Sequence, residues 1–345
     1  MSDPRIGLIA RADDRGLGTL TTEFHRHVRP DKTLIVLTGN PDFPEHPDRF
    51  RHGTIYSAKL GHDLSLDEHR VREFLADTDV VYTAETFYDW RILDWAREMS
   101  VVTVCHGMPE LTVQARKRSM AHPDQWWWPT EWMLDRMPLG RLMPIPSTYK
   151  GGLRGALPHD TGPLRVVHPG GKEALADRDG TQTFLDALSY VTEDVEATVF
   201  VQDRHIESWG LPDNVKLSAR GAVESRWEMY QDQHLMVLPR RYGGLSLKVH
   251  ESLESGVPVI LPDLEPNRRW PGPRTPSTRG KRILVPCGPL RTFNADPRAI
   301  AAEIDTLARD RSLLEVEQRQ AIAWAEQNSW SALRPDYMRA FRDLL

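Results

Sequence analysis

PRRYGGLSLKVHESLESGVPVILPDLEPN, residues 239–267, packs a strand end, a glycine turn, a helix and a second strand into one short stretch. The apolar run HLMVLP from His234 stops at Pro239, Gly243 and Gly244 form a turn of consecutive backbone N–H groups, and a helix begins near Leu245. Such a turn aims N–H donors and the positive end of a helix at one spot, which suits a phosphate or a sugar hydroxyl. Glu251 falls about two turns into the helix, and Gly256 then leads into the buried strand PVILP from Pro258.

Working outward, apolar runs of the same kind recur. LRVVH from Leu164, ATVFV from Ala197 and NVKLS from Asn214 precede the motif. RIGLIA from Arg5, TLIVLT from Thr33, DVVYT from Asp79 and VVTVC from Val101 fill the first part of the chain. Helical patterns at 19–28, 66–77 and 90–99 separate the early strands, and alternation of this length implies parallel βαβ units. The stretch PIPSTYKGGLRGALPHDTGP before Leu164 is rich in Pro and Gly. It divides the chain into a first domain, 1–146, a linker, 147–163, and a second domain, 164–330. The tail from Pro297 reads as three helices, the last of which, 331–345, is expected to return to the first domain. The expected fold is α/β, with two Rossmann-like doubly wound domains facing across a cleft.

A chain of 345 residues with 40% hydrophobic and 27% charged residues builds ordinary cores, which excludes disorder and fibres. No apolar stretch approaches the ~20 residues of a membrane span, and the N-terminus has no signal-peptide pattern. Cys105 and Cys287 are too few for a disulfide framework, so the cytoplasm is the expected compartment. The net charge of −5 gives no global pull towards nucleic acid or membrane. Of 44 basic residues 36 are Arg, which reflects base composition or a preference for planar cations.

Several standard patterns fail. Gly16 and Gly18 begin a dinucleotide fingerprint, but Thr21 occupies the third glycine position, which disfavours a plain dehydrogenase. Neither a P-loop nor an HExxH pattern is present. Asp177-Arg178-Asp179 matches a carboxylate pair for a metal diphosphate, yet it opens a helix, where acidic residues cap. Capping is the expected role, and no metal is assigned.

The 239–267 segment resembles the donor-site motif of retaining GT-B glycosyltransferases of family 4, the glycogen synthase-like group. That motif is a Glu, a Gly-rich turn and a second Glu eight positions on, running into small residue, Gly, Val or Thr, Pro, Val. Glu251, Ser255, Gly256, Val257, Pro258 and Val259 match its second half, and Gly243 replaces the first Glu. The RRYGG form resembles a subgroup from phages and actinobacteria. The resemblance implies that Glu251 binds the nucleotide ribose. It leaves the sugar to the amides of Gly243, Gly244 and Leu245 or to the Ser246 hydroxyl. Lys172 and Arg178 match the paired cations of the diphosphate clamp with their types exchanged, and Arg241 adds charge beside Arg240. His106, just past VVTVC, matches a His that contacts the donor sugar, its alternative being structural. Gly16 and Gly18 match the first-domain glycine loop.

Two features concern the acceptor. Trp126-Trp127-Trp128 with Trp132 would stack on a sugar or base, or pack at the hinge. Arg268, Arg269, Arg274, Arg279, Lys281 and Arg282 lie in a stretch without acids, which is either a solvated loop or a grip on a polyanion. The resulting expectation is a metal-independent retaining glycosyltransferase, with no cofactor beyond its nucleotide-diphosphate sugar donor. Its acceptor would be a protein side chain, a glycan or a modified nucleobase. The alternatives are a GT-B nucleotide-sugar epimerase and a non-catalytic nucleotide-sugar-binding protein.

Overall fold

The computed structural model describes every residue except 1, 2, 112–120, 149, 150, 160, 172–176, 203–205, 207–209, 286 and 287. The chain divides into two compact units, Met1–Ile145 with Trp330–Leu345, and Pro146–Ser329.

The first unit holds β1 (Ile6–Ala10), α1 (Gly16–Val28), β2 (Lys32–Leu37), β3 (Thr54–Lys59), α2 (Glu68–Leu75), β4 (Val80–Ala84) and α3 (Ile92–Glu98). β5 (Val102–His106), β6 (Gln125–Trp128) and β7 (Gly140–Leu142) complete its sheet, which runs β3-β2-β1-β4-β5-β6-β7 with every pair parallel. Both faces are covered at the centre of the sheet, so β1 and β4 are buried throughout rather than alternating, whereas the edge strands β3 and β7 are largely exposed. Ile9, Leu34, Val81 and Cys105 pack under α2 and α3. Leu8, Ala10, Tyr82 and Val104 face α1 and the C-terminal helix α8 (Trp330–Arg342).

The tryptophan cluster follows this logic. Trp126, Trp127 and Trp128 are buried in β6 and alternate between the two cores, Trp126 stacking on Trp128 at 5.2 Å on one face. On the other, Trp127 lies 4.9 Å from Phe341 and 5.5 Å from Tyr337. These three rings build the core and are not a stacking platform. Trp132 is half-buried.

The second unit repeats the plan with β8 (Leu164–Gly171), α4 (Thr181–Leu188), β9 (Val195–Val201), β10 (Val215–Arg220), β11 (Leu235–Val237), α5 (Leu247–Glu254), β12 (Val259–Pro262) and β13 (Arg274–Thr275). Its parallel sheet runs β10-β9-β8-β11-β12-β13. A separate antiparallel hairpin, β14 (Ser277–Val285) with β15 (Gly288–Ala295), precedes α6 (Pro297–Arg309) and α7 (Arg311–Gln327). Asp296 and Asp310 cap these helices by accepting from first-turn N–H groups.

The Pro/Gly-rich stretch expected as a linker belongs to the second unit. Ala156 N donates to Gln233 O, and Thr148 donates twice to the buried Glu254 carboxylate, both at 2.6 Å. In both sheets the strand order reverses once, at β1/β4 and at β8/β11. The crevice outside the carboxyl ends of such strands is where doubly wound folds bind ligands.

Candidate functional site

The reversal in the second unit brings the loop 238–246 together with the carboxyl end of β8. Gly243 has φ +116°, a left-handed conformation that strains any residue with a β-carbon. A β-carbon there would stand 2.6 Å from Nη2 of Arg178 and 2.6 Å from Nη2 of Arg240, so the missing side chain leaves room for two guanidiniums. Arg240 is buried and donates to the carbonyls of Tyr242, Gly244 and Leu245, which fixes the course of the turn. Arg178 lies over the Tyr242 ring, and its carbonyl accepts from Arg241 N at 2.8 Å. Ser246 is the N-cap residue of α5 without a capping side-chain hydrogen bond, so the first amides of the helix have no side-chain acceptor from it.

Of the two acids expected to cap the helix, Asp177 does so and Asp179 instead forms an ion pair. Asp177 accepts from Thr181 N and Gln182 N at the start of α4. Asp179 pairs with Lys248 at 2.5 Å, and Lys248 also donates to Gly170 O, so one ammonium joins α5, β8 and the α4 entry. Burial would raise the Asp179 pKa, but Lys248 outweighs it and holds the carboxyl below the usual range. Among the described residues no cluster of three or more metal-ligating side chains occurs.

Glu251, one turn beyond Lys248, accepts from Tyr230 Oη at 3.2 Å and lies 3.6 Å from Arg226 Nε. Burial pushes its carboxyl up to about 7, against the pull of Arg226 and Tyr230. Two cations lie over the Trp227 ring, Arg154 at 4.3 Å and Arg226 at 4.7 Å from its centroid. His168 joins β8 to its neighbours through Val237 O and the Thr181 hydroxyl, and burial lowers it to about 4.

The remaining sequence candidates separate. Arg241 does not point at the glycine turn. Its guanidinium donates to Phe293 O, Thr292 Oγ1 and Asn294 Oδ1, fastening β15 to the loop. His106 is fully buried in the first unit with Nδ1 3.0 Å from Tyr82 Oη, and burial lowers it to about 3. It is a neutral core histidine, closed off from solvent rather than presented to a ligand. Gly16 begins α1, and Gly18 lies so close to the Asp13 carbonyl that a β-carbon would overlap it. Lys172 lies outside the described residues. Lys248 and Tyr230 escaped the sequence reading, although the cation-and-glycine run RRYGGLSLK signals the first; Arg240, expected only as added charge, also holds the turn through three carbonyls.

Compared by sequence, the chain matches no family model and no curated protein. Compared by structure, it superposes on HepE of Anabaena in complex with UDP-glucose, at TM-score 0.69 with 13% identity over 99% of both chains. It likewise superposes on the lipopolysaccharide outer core galactosyltransferase WaaB, at 0.66 with 11% identity over 99% of both. The chain has the GT-B fold. Sucrose-phosphate synthase from Thermosynechococcus elongatus shares the GT-B fold at TM-score 0.62, with 13% identity over 98% of both chains. Identities this low establish shared architecture and leave the chemistry to the site.

Proposed function

We propose that this chain transfers a glycosyl group, with retention of configuration, from a nucleotide-diphosphate sugar to a hydroxyl acceptor. The observation that carries the reading is the meeting of Arg178 and Arg240 at Gly243, in front of the α5 N-terminus and at the strand-order reversal. The departing diphosphate gains negative charge as the glycosidic bond breaks. Fixed cations and helix amides stabilise that charge without reorganising. Arg178 contacts the diphosphate, Arg240 holds the turn and adds its charge, and Lys172 is assigned to the same clamp. The amides of Gly243, Gly244 and Leu245 with the Ser246 hydroxyl receive the sugar.

Glu251 accepts the ribose hydroxyls, with Tyr230 orienting its carboxylate. No general base is assigned, because the leaving phosphate takes the acceptor proton in a front-face reaction. The transfer is metal-independent in this scheme, and the acceptor is a protein side chain or a glycan in preference to a modified nucleobase. That UDP-glucose occupies the Anabaena protein supports a nucleotide-sugar donor here.

The test uses water in place of the acceptor. Incubation with donor sugars, followed by NMR before mutarotation, should show free nucleoside diphosphate and a sugar of the donor's anomeric configuration. An inverted sugar would overturn retention. Conversion of the sugar while it stays attached to nucleotide would identify an epimerase.

A further inference from the structure

The hairpin β14–β15 lies outside both parallel sheets, and the stretch from Asn267 to Ala295 contains seven cations and no acid. Several of these make local bonds, Arg291 donating to Gly280 O at 3.2 Å across the hairpin. Arg268 pairs with Asp263 and Glu265, and Arg274 donates to the carbonyls of Asn267, Trp270, Gly272 and Pro273. On the hairpin itself Arg279, Lys281, Arg282 and Arg291 are exposed, and none of the four has a carboxylate at ion-pair distance among the described residues.

The register sharpens this. Arg282 stands directly opposite Arg291, and like charges facing each other across a ladder destabilise it. Two residues nearer the hairpin end on the same face, Leu284 stands opposite Pro289, and both are exposed, Leu284 at 74%. The reverse face carries the buried Val285, Leu290 and Thr292. One face is therefore packed and the other shows paired cations behind an apolar end. Arg241 secures the packed side by four hydrogen bonds to β15, including Phe293 N to Arg241 O at 2.9 Å.

We propose that the outward face of this hairpin docks on an anionic lipid surface. Headgroup phosphates offset the Arg282–Arg291 repulsion, and the headgroup–acyl boundary accepts Leu284 and Pro289. A nucleic acid would satisfy the cations and leave the apolar end in water. The chain's net charge of −5 opposes approach to such a surface, so the attraction must be local to this face. The proposal uses no donor-site residue, and its failure would leave the glycosyl-transfer reading untouched.

The experiment is co-sedimentation of the full chain with vesicles of phosphatidylcholine alone, or with an equal part of phosphatidylglycerol, across a salt series. The expected result is binding to the anionic vesicles only, weakening as salt rises. The double variant Arg282→Gln, Arg291→Gln should lower partitioning roughly 30-fold, the factor that about 1 kcal/mol per cation gives. Leu284→Ser should lower it severalfold. All these side chains are exposed, so an unfolding midpoint that does not fall certifies the variants. Absent binding, equal binding to neutral vesicles, or binding indifferent to the double variant would overturn the proposal. So would binding of duplex DNA without vesicle partitioning.

Discussion

Nη2 of Arg240 lies 2.6 Å from the place a β-carbon on Gly243 would occupy, so the buried cation and the missing side chain are two halves of one arrangement. A residue with a side chain at 243 must displace a guanidinium and adopt φ +116°. Gly243→Ala is therefore expected to cost about 1 to 3 kcal/mol of stability and to weaken nucleotide-diphosphate binding. Urea unfolding and calorimetry check both, and a variant of unchanged stability and affinity would show that the turn is not held this way.

Glu251 offers a titration to follow. Its carboxyl is pushed up to about 7 by burial, and only the ionised form accepts both ribose hydroxyls. Donor affinity is thus fully present above that pH and falls as the pH drops through it, by up to tenfold per unit. Glu251→Gln should flatten the profile and weaken binding by roughly 1.5 to 3 kcal/mol at higher pH. A sloping profile in the Gln variant would assign the proton to another group.

Lys248 and Asp179 form a partly buried pair whose partners sit on different elements. Lys248→Met alone leaves the carboxylate uncompensated and should cost about 2 to 4 kcal/mol, while adding Asp179→Asn should restore most of it. Additive losses in that double-mutant cycle would deny the coupling.

Trp127→Ala should destabilise the chain by about 3 to 5 kcal/mol, because a fully buried ring is removed from between β6 and α8. Its effect on donor affinity should be nil. The contrary pattern, a stable variant with impaired binding, would return the tryptophans to a recognition role.

The doubly wound architecture was legible because strands buried on both faces write themselves as uninterrupted apolar runs, as in IGLIA and TLIVL. The same rule hid the meaning of Trp126 to Trp128, since three aromatic rings on alternate faces look like a binding platform until both faces are known to be covered. The basic stretch looked like a loop because Gly280 and a register shift between Arg279 and Arg282 break the strand alternation. His106 could be located at a strand end but not turned inward, because which way a residue faces depends on the helix that covers it. The glycine turn was visible, and Arg240 with it as added charge, but not its bonding to the turn: a cation satisfied by three backbone carbonyls leaves no partner in the sequence.

The central claim, a nucleotide-diphosphate sugar bound at the Gly243 turn, is tested most directly by unfolding the chain in the presence of UDP-, GDP-, ADP- and TDP-sugars. At 100-fold its dissociation constant, one nucleotide class should stabilise the protein by about 2.7 kcal/mol. At the same ligand concentration that stabilisation should shrink in Arg178→Gln. Absence of stabilisation by every donor, or full stabilisation in Arg178→Gln, would contradict it.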